Sequence, residues 1–165
     1  MDADWAGSWS HRSSHEPTSC TSRTRIFLLY AGCPIIWKSS LQSLIALYTI
    51  EVEYIALSTS LREVIATIYV LQELDTNGAL SYKGLPTILC KTFEDNMSCL
   101  KIATDHMTRP RTKHIPLRLH HFRSHVVNRT IQIEYISTKN QIAALFTKHL
   151  PKPQFELLRN MLLKW

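Results

Sequence analysis

Apolar positions in residues 49–74, "TIEVEYIALSTSLREVIATIYVLQEL", recur at three- and four-residue intervals, the period of an α-helix. Ile50, Leu57, Leu61, Val64, Ile68 and Leu71 form one stripe, and Glu53 falls on its edge beside Leu57 and Val64. Glu51 points about a third of a turn away, with Ser58 and Arg62, where a charge is ordinary. A carboxylate carried toward a core costs several kcal/mol unless something pairs with it, so the pattern requires a partner for Glu53.

The period changes on either side of this helix. Residues 7–24 are polar and Ser/Thr-rich without apolar period, which reads as a long loop. "RIFLLYA" and "PIIWKSS" are strands flanking an Ala-Gly-Cys-Pro turn, and "LIALY" is expected to extend the second of them toward the helix. Asn77 and Gly78 end the helix. "TILCK" has strand length, and "EDNMSCLKIA" reads as a helix opened by acids, which the macrodipole favours at an N-terminus. A basic helix over about 115–128 follows, with Pro116 tolerated in its first turn. A strand "IQIEYIS", a short helix over 140–147 and an amphipathic tail carrying Phe155, Leu158, Leu162 and Trp165 complete the series. The fold class is α/β, with one domain over 1–150 and a tail helix over 151–165.

Composition narrows the setting. At 165 residues and 45% apolar, the chain is long enough for one domain with a sizeable core. The formal charge of +6 favours anionic partners only mildly, but its distribution is uneven. From His106 to Ile133 there is no Asp or Glu, while Arg109, Arg111, Lys113, Arg118, Arg123 and Arg129 all fall there, with His114, His120, His121 and His125 among them. Such a run reads as a basic face for phosphates or as a solvated loop. His121 and His125, four apart, have no third ligand or HExxH pattern beside them, so they read as part of that face rather than a metal clip. The tryptophans and tyrosines are expected mostly in the core.

Cys20, Cys33, Cys90 and Cys99 show no CxxC spacing and no signal peptide is visible, so the expected setting is intracellular, cytoplasmic or nuclear, and not secreted. The apolar run "IFLLYAGCPIIW" is too short to span a bilayer and is broken by Gly32 and Pro34, so no membrane partner is expected.

Three acids stand at the ends of separate elements: Asp2 in "DADWAG", Glu53 in the long helix and Asp95 in "FEDN". Taken singly, they read as a terminal acid, an edge carboxylate and a helix-opening acid, and spacing does not establish that they meet. The ordered series "DADWAG", "AGCPIIW", "EVEYIALS", "CKTFEDN", "RPRTKHI", "HHFRSHV" and "TKNQIAALFTKHLP" resembles the ribonuclease H domain that ends the Pol polyprotein of copia-type retrotransposons. That resemblance covers nearly the whole chain. It implies a five-stranded mixed sheet flanked by helices, with Asp2, Glu53 and Asp95 as catalytic ligands of two Mg2+ or Mn2+ ions. It further implies an RNA–DNA hybrid as substrate, with Arg109, Arg111, Lys113, His114 and Arg118 on its phosphates, and the reverse transcriptase domain of the parent polyprotein as partner.

The chain departs from that pattern at several positions. The family reads "LAD" where this chain reads "IAA", so Ala144 stands where a fourth metal-binding acid is expected, and neither Asn140 nor His149 matches its place. Met1 stands just before the first catalytic acid, so the first strand is expected to be truncated. Arg25 replaces a usual glycine, and "YTIEVEY" replaces "STTEAEY". The resemblance therefore implies either a ribonuclease H-type nuclease with impaired activity or a catalytically inactive remnant that still binds nucleic acid. An integrase-like nuclease of the same fold family fits less well, because "TKHLP" and the tail resemble the end of the ribonuclease H domain.

Overall fold

The computed structural model describes the chain apart from residues 8–10, 14, 16, 81–87, 106–114, 116, 147–149 and 164–165. Among the described residues, five strands and four α-helices follow the order β1 (Asp2–Asp4), β2 (Arg23–Tyr30), β3 (Cys33–Leu41), α1 (Thr49–Thr76), β4 (Cys90–Glu94), α2 (Met97–Thr104), α3 (Arg123–Val127), β5 (Ile131–Tyr135) and α4 (Lys152–Leu163). Short 3-10 segments fill parts of the connections, two of them within the stretch expected as loop.

Hydrogen bonds organise the strands as two sheets. β1, β2 and β3 form an antiparallel sheet in that order, with Asp2 opposite Arg25 and Phe27 opposite Trp37. β4 and β5 form a parallel pair from Cys90 opposite Ile131 to Glu94 opposite Tyr135. The buried Met1 nitrogen donates to the Phe93 carbonyl at 3.4 Å, placing the start of β1 against β4. The β2–β3 hairpin turns at Ala31 and Gly32, both at positive φ (49° and 81°), the conformation of a type I′ turn whose twist matches the strands.

α1 is the central helix. At its N-terminus the Glu51 carboxylate accepts from the Leu47 amide at 2.9 Å, satisfying a donor outside the helix in the manner of a capping box. At the other end, Gly78 takes positive φ and its amide bonds the Asp75 carbonyl, closing the helix where the sequence placed its stop. The first half is buried almost all round, from Val52 to Leu61, rather than along one stripe, and Ser58 is buried too. The cause is packing on several sides: β1 and β2 lie against α1, as do α2 and the 3-10 segment Leu117–His120. Tyr69, Val70 and Leu74 in its last turns are exposed. By length and composition α1 passes the test for a membrane span, with half of the relevant window buried inside this fold.

Several elements differ from their sequence reading. The chain leaves β3 at Leu41, and "LIALY" does not prolong the strand. Gln42 ends the sheet by donating from Nε2 to both Thr24 Oγ1 and the Val52 carbonyl, which ties β2 to α1 at that point. The fourth strand runs from Cys90 to Glu94, later than "TILCK", and α2 is opened by Asn96 rather than by acids. The basic helix is broken into the 3-10 segment Leu117–His120 and α3, because Phe122 turns inward and is fully buried against Tyr54. Residues 138–146 form two 3-10 segments in place of one helix. Tyr54 is buried, whereas Trp5, Trp37, Tyr48, Tyr69 and Tyr135 are exposed, since the sheets and α1 are covered on fewer sides than a larger core would cover them. In the tail, Leu158 is buried and Phe155 exposed; Trp165 lies outside the described residues.

Candidate metal centre

The acid site begins with β1. Pairing of Asp2 with Arg25 fixes the strand, and the peptide after it turns back sharply: Ala6 adopts positive φ and donates its amide to Ser22 Oγ at 3.1 Å. A Cβ on Gly7 would lie 2.6 Å from Asp4 Oδ2, so a larger residue there would have to push the Asp4 carboxylate aside. Asp2 itself is 1% exposed.

Glu53 reaches the same place from the first turns of α1, two residues after the Glu51 cap. Asp95 reaches it from the end of β4. Asn96 Oδ1 accepts from the Ser98 and Cys99 amides at 2.9 and 3.1 Å, so Asn96 caps α2 and Asp95 is not spent on that role. One carboxylate oxygen from each of Asp2, Glu53 and Asp95 lies within 4.8 Å of the others. Glu53 and Asp95 also line an open depression with Asn96, Met97, Ser98 and Thr138.

Sequence reasoning missed a fourth acid. Glu94 alternates inward at the end of β4, is 1% exposed, and accepts the Asn96 amide on Oε1 at 3.0 Å. Burial pushes its carboxyl up to about 8; the Asn96 hydrogen bond opposes this, and the neighbouring Asp95 charge adds to it. Beneath it, burial raises the Cys99 thiol well above its usual value, and Glu94, Glu53 and Asp95 reinforce the shift. Burial lowers the Met1 ammonium while Glu94, Asp2, Glu53 and Asp95 pull the other way. The signal for Glu94 was its alternation with Phe93, which puts it on the same buried face of β4 as Thr92.

The site suits a hard divalent cation. Three anionic oxygen donors from distant points of the chain converge on one point, and oxygen ligands are what Mg2+, Mn2+ and Ca2+ take. Ala144, where the resemblance expects a fourth acid, is 1% exposed in the 3-10 segment Ile142–Phe146, and the residue of that region lining the acid depression is Thr138.

Of the expected phosphate-binding residues, Arg109, Arg111, Lys113 and His114 lie outside the described residues, and Arg118 is exposed on the 3-10 segment Leu117–His120. His120, His121 and His125 of the basic run contact α1. Tyr54 contacts His120, Ser58 Oγ lies 3.4 Å from His121 Nδ1, and the Tyr69 ring meets His125 edge-on.

Comparison with known proteins finds relatives over nearly the whole chain. It is 32% identical over 160 residues to the retrovirus-related Pol polyprotein from transposon TNT 1-94 of Nicotiana tabacum, covering 97% of this chain and 11% of that protein. It is 29% and 27% identical, over 156 residues in each case, to the retrovirus-related Pol polyproteins from transposons RE2 and RE1 of Arabidopsis thaliana. Each of these covers 94% of this chain and 10% of the relative. The chain is thus homologous to a segment of plant retrotransposon Pol polyproteins and spans about a tenth of the length of the curated relatives it matches. No family model matches it, and no solved structure does.

Proposed function

We propose, from the homology to plant retrotransposon Pol polyproteins, that this segment is a ribonuclease H-type domain of a copia-like element that hydrolyses the RNA strand of RNA–DNA hybrids. The observation that carries the reading is the convergence of Asp2, Glu53 and Asp95, three carboxylates from a strand, a helix and a strand end, within 4.8 Å. A cluster of hard donors at that density is what two-metal phosphodiester hydrolysis requires. The mixed α/β architecture, with an antiparallel sheet and a parallel strand pair beside the long helix α1, is in keeping with it.

When bound, a pair of Mg2+ or Mn2+ ions supplies an activated water on one side of the phosphodiester and charge stabilisation for the leaving oxygen on the other. The chain's own residues prepare that chemistry. Asp2 is fixed by strand pairing and Glu53 by the capped start of α1. Asp95 is fixed by the turn that Glu94 and Asn96 hold. Arg118 and the basic run before it offer cations for the hybrid's phosphates, while the 2′-hydroxyls of the RNA strand distinguish it from DNA. The parent polyprotein's reverse transcriptase domain would supply the hybrid.

Ala144 favours a second reading. With no carboxylate at that position, a weakly loaded centre would leave a nucleic-acid-binding remnant that does not cut. A cleavage assay separates the two, using a hybrid labelled on its RNA strand, Mg2+ or Mn2+, and Glu53→Gln as control. RNA products from the wild type but not the control support the nuclease, and hybrid binding without products supports the remnant. A folded protein that neither binds nor cuts the hybrid removes both.

A further inference from the structure

Arg25 lies directly opposite Asp2 in the β1–β2 ladder. Directly opposed residues of an antiparallel pair send their side chains to the same face, with Cβ atoms about 4.5–5.5 Å apart, so the Arg25 side chain starts beside the Asp2 carboxylate. Alternation sets Asp4 and Arg23 on that face too, together with Phe27, which stacks on Phe146 of the 3-10 segment Ile142–Phe146. Arg25 is enclosed there, at 9% exposure.

A buried guanidinium is costly unless its donors and its charge are both matched. Only part of that matching is present. Arg25 Nε donates to Ser39 Oγ at 3.0 Å, whereas Nη1 is buried with no hydrogen-bond partner among the described residues. No carboxylate among the described residues lies within ion-pair distance of it. Its charge is answered through space instead: burial lowers the guanidinium, Asp4 opposes that, Arg23 adds to it and Asp2 opposes it. Asp4 is partly committed elsewhere, since its Oδ1 accepts the Arg23 amide. The Asp2 charge is therefore shared between the other two acids of the cluster and the Arg25 cation.

A divalent cation drawn to Asp2, Glu53 and Asp95 would take up the negative charge that offsets Arg25. It would also meet a fixed positive charge that does not leave by losing a proton and, being enclosed, is screened little by salt. We propose that Arg25 opposes metal loading at the acid cluster: its enclosed cation competes with a divalent ion for the Asp2 carboxylate and sets how tightly this chain holds the ion. The proposal rests on reading Asp2, Glu53 and Asp95 as a metal centre, and it gives a cause of weak loading separate from the missing acid at Ala144.

The test is a calorimetric titration of Mn2+ into the whole chain, comparing the wild type with Arg25→Met, Arg25→Gln and Arg25→Lys, each checked for folding by circular dichroism. Met and Gln remove the charge with two different side-chain chemistries, and Lys keeps it. Both neutral variants are expected to bind Mn2+ at least about tenfold more tightly than the wild type, and the Lys variant to bind as the wild type does. With Asp2→Asn added, the gain is expected to vanish. Folded neutral variants that bind no more tightly than the wild type overturn the proposal and leave the metal centre standing. A Lys variant that gains as much as the neutral ones, or a gain that survives Asp2→Asn, overturns it as well. Absence of binding in the wild type and in every variant would remove the metal centre itself, and the proposal with it.

Discussion

The Tyr54 hydroxyl and His120 Nδ1 share a hydrogen bond of 2.5 Å, joining the start of α1 to the basic segment 66 residues later in the chain. Tyr54 is fully buried, and burial pushes its phenol up to about 12 against the opposing pull of Arg123. Burial first, and Arg123 second, lower the His120 imidazole, which favours its neutral form in the pair. Arg123 in turn donates from Nη2 to the Ile102 carbonyl at 3.1 Å, drawing α2 into the same lock. Tyr54→Phe removes the bond to the half-buried His120 ring and is expected to cost about 0.5–1.5 kcal/mol of stability, read as a lower urea midpoint.

Acid should weaken this lock. His120 and His121 are both lowered below 6.5 in the fold, mainly by burial. The unfolded chain therefore binds protons that the folded chain resists, so their contribution is complete above about pH 6.5 and is lost as pH falls through the depressed values. His120→Gln is expected to flatten the decline in urea midpoint between pH 7 and pH 5, and an unchanged slope would remove His120 as a cause.

Glu94 acts in the opposite direction. A carboxyl raised from 4.5 to about 8 contributes stability below pH 4.5 that is lost as pH rises toward 8. In metal-free buffer, Glu94→Gln should match the wild type near pH 4 and exceed it in stability near pH 8. Thermal melts across that range check the crossover, and a constant difference at all pH values would contradict it.

The β2–β3 turn holds a residue poorly suited to it. Ala31 sits at φ 49° in a turn whose first position favours Asn or Gly. Ala31→Asn should raise stability by about 0.5–1 kcal/mol, without altering metal or nucleic-acid binding. Equilibrium denaturation measures it, and a loss would mean that the hairpin tolerates alanine through contacts that asparagine breaks.

Ala144 tests the fourth-ligand position. Its site is 1% exposed, so Ala144→Asp buries a carboxylate and is expected to destabilise the metal-free chain by about 1–3 kcal/mol. If that carboxylate reaches the acid cluster, Mn2+ restores the loss and raises the melting temperature more than it does in the wild type. Destabilisation that metal does not relieve would place Ala144 away from the centre.

Much of this was legible in the chain. The hairpin, the long helix and its stop at Asn77 and Gly78 followed from period and turn chemistry, and Glu53 on the edge of an apolar stripe already asked for a partner. What escaped the sequence depended on contacts across the fold. The break in the basic helix comes from Phe122 turning into Tyr54, and the end of β3 from Gln42 bonding into α1. Glu94 did not stand out beside Asp95 because alternation alone does not say which face of β4 is covered. The contacts that His120, His121 and His125 make with Tyr54, Ser58 and Tyr69 of α1 were not legible either, since they join points more than 50 residues apart in the chain.

The most direct test of the account is a calorimetric titration of Mn2+ into the metal-free chain, repeated with Asp2→Asn, Glu53→Gln and Asp95→Asn singly and combined, with folding checked by circular dichroism. The account predicts saturable binding by the wild type, weakened by each substitution and abolished in the triple variant. Folded variants that bind Mn2+ as the wild type does would contradict it, and Asp2, Glu53 and Asp95 would not be a metal centre.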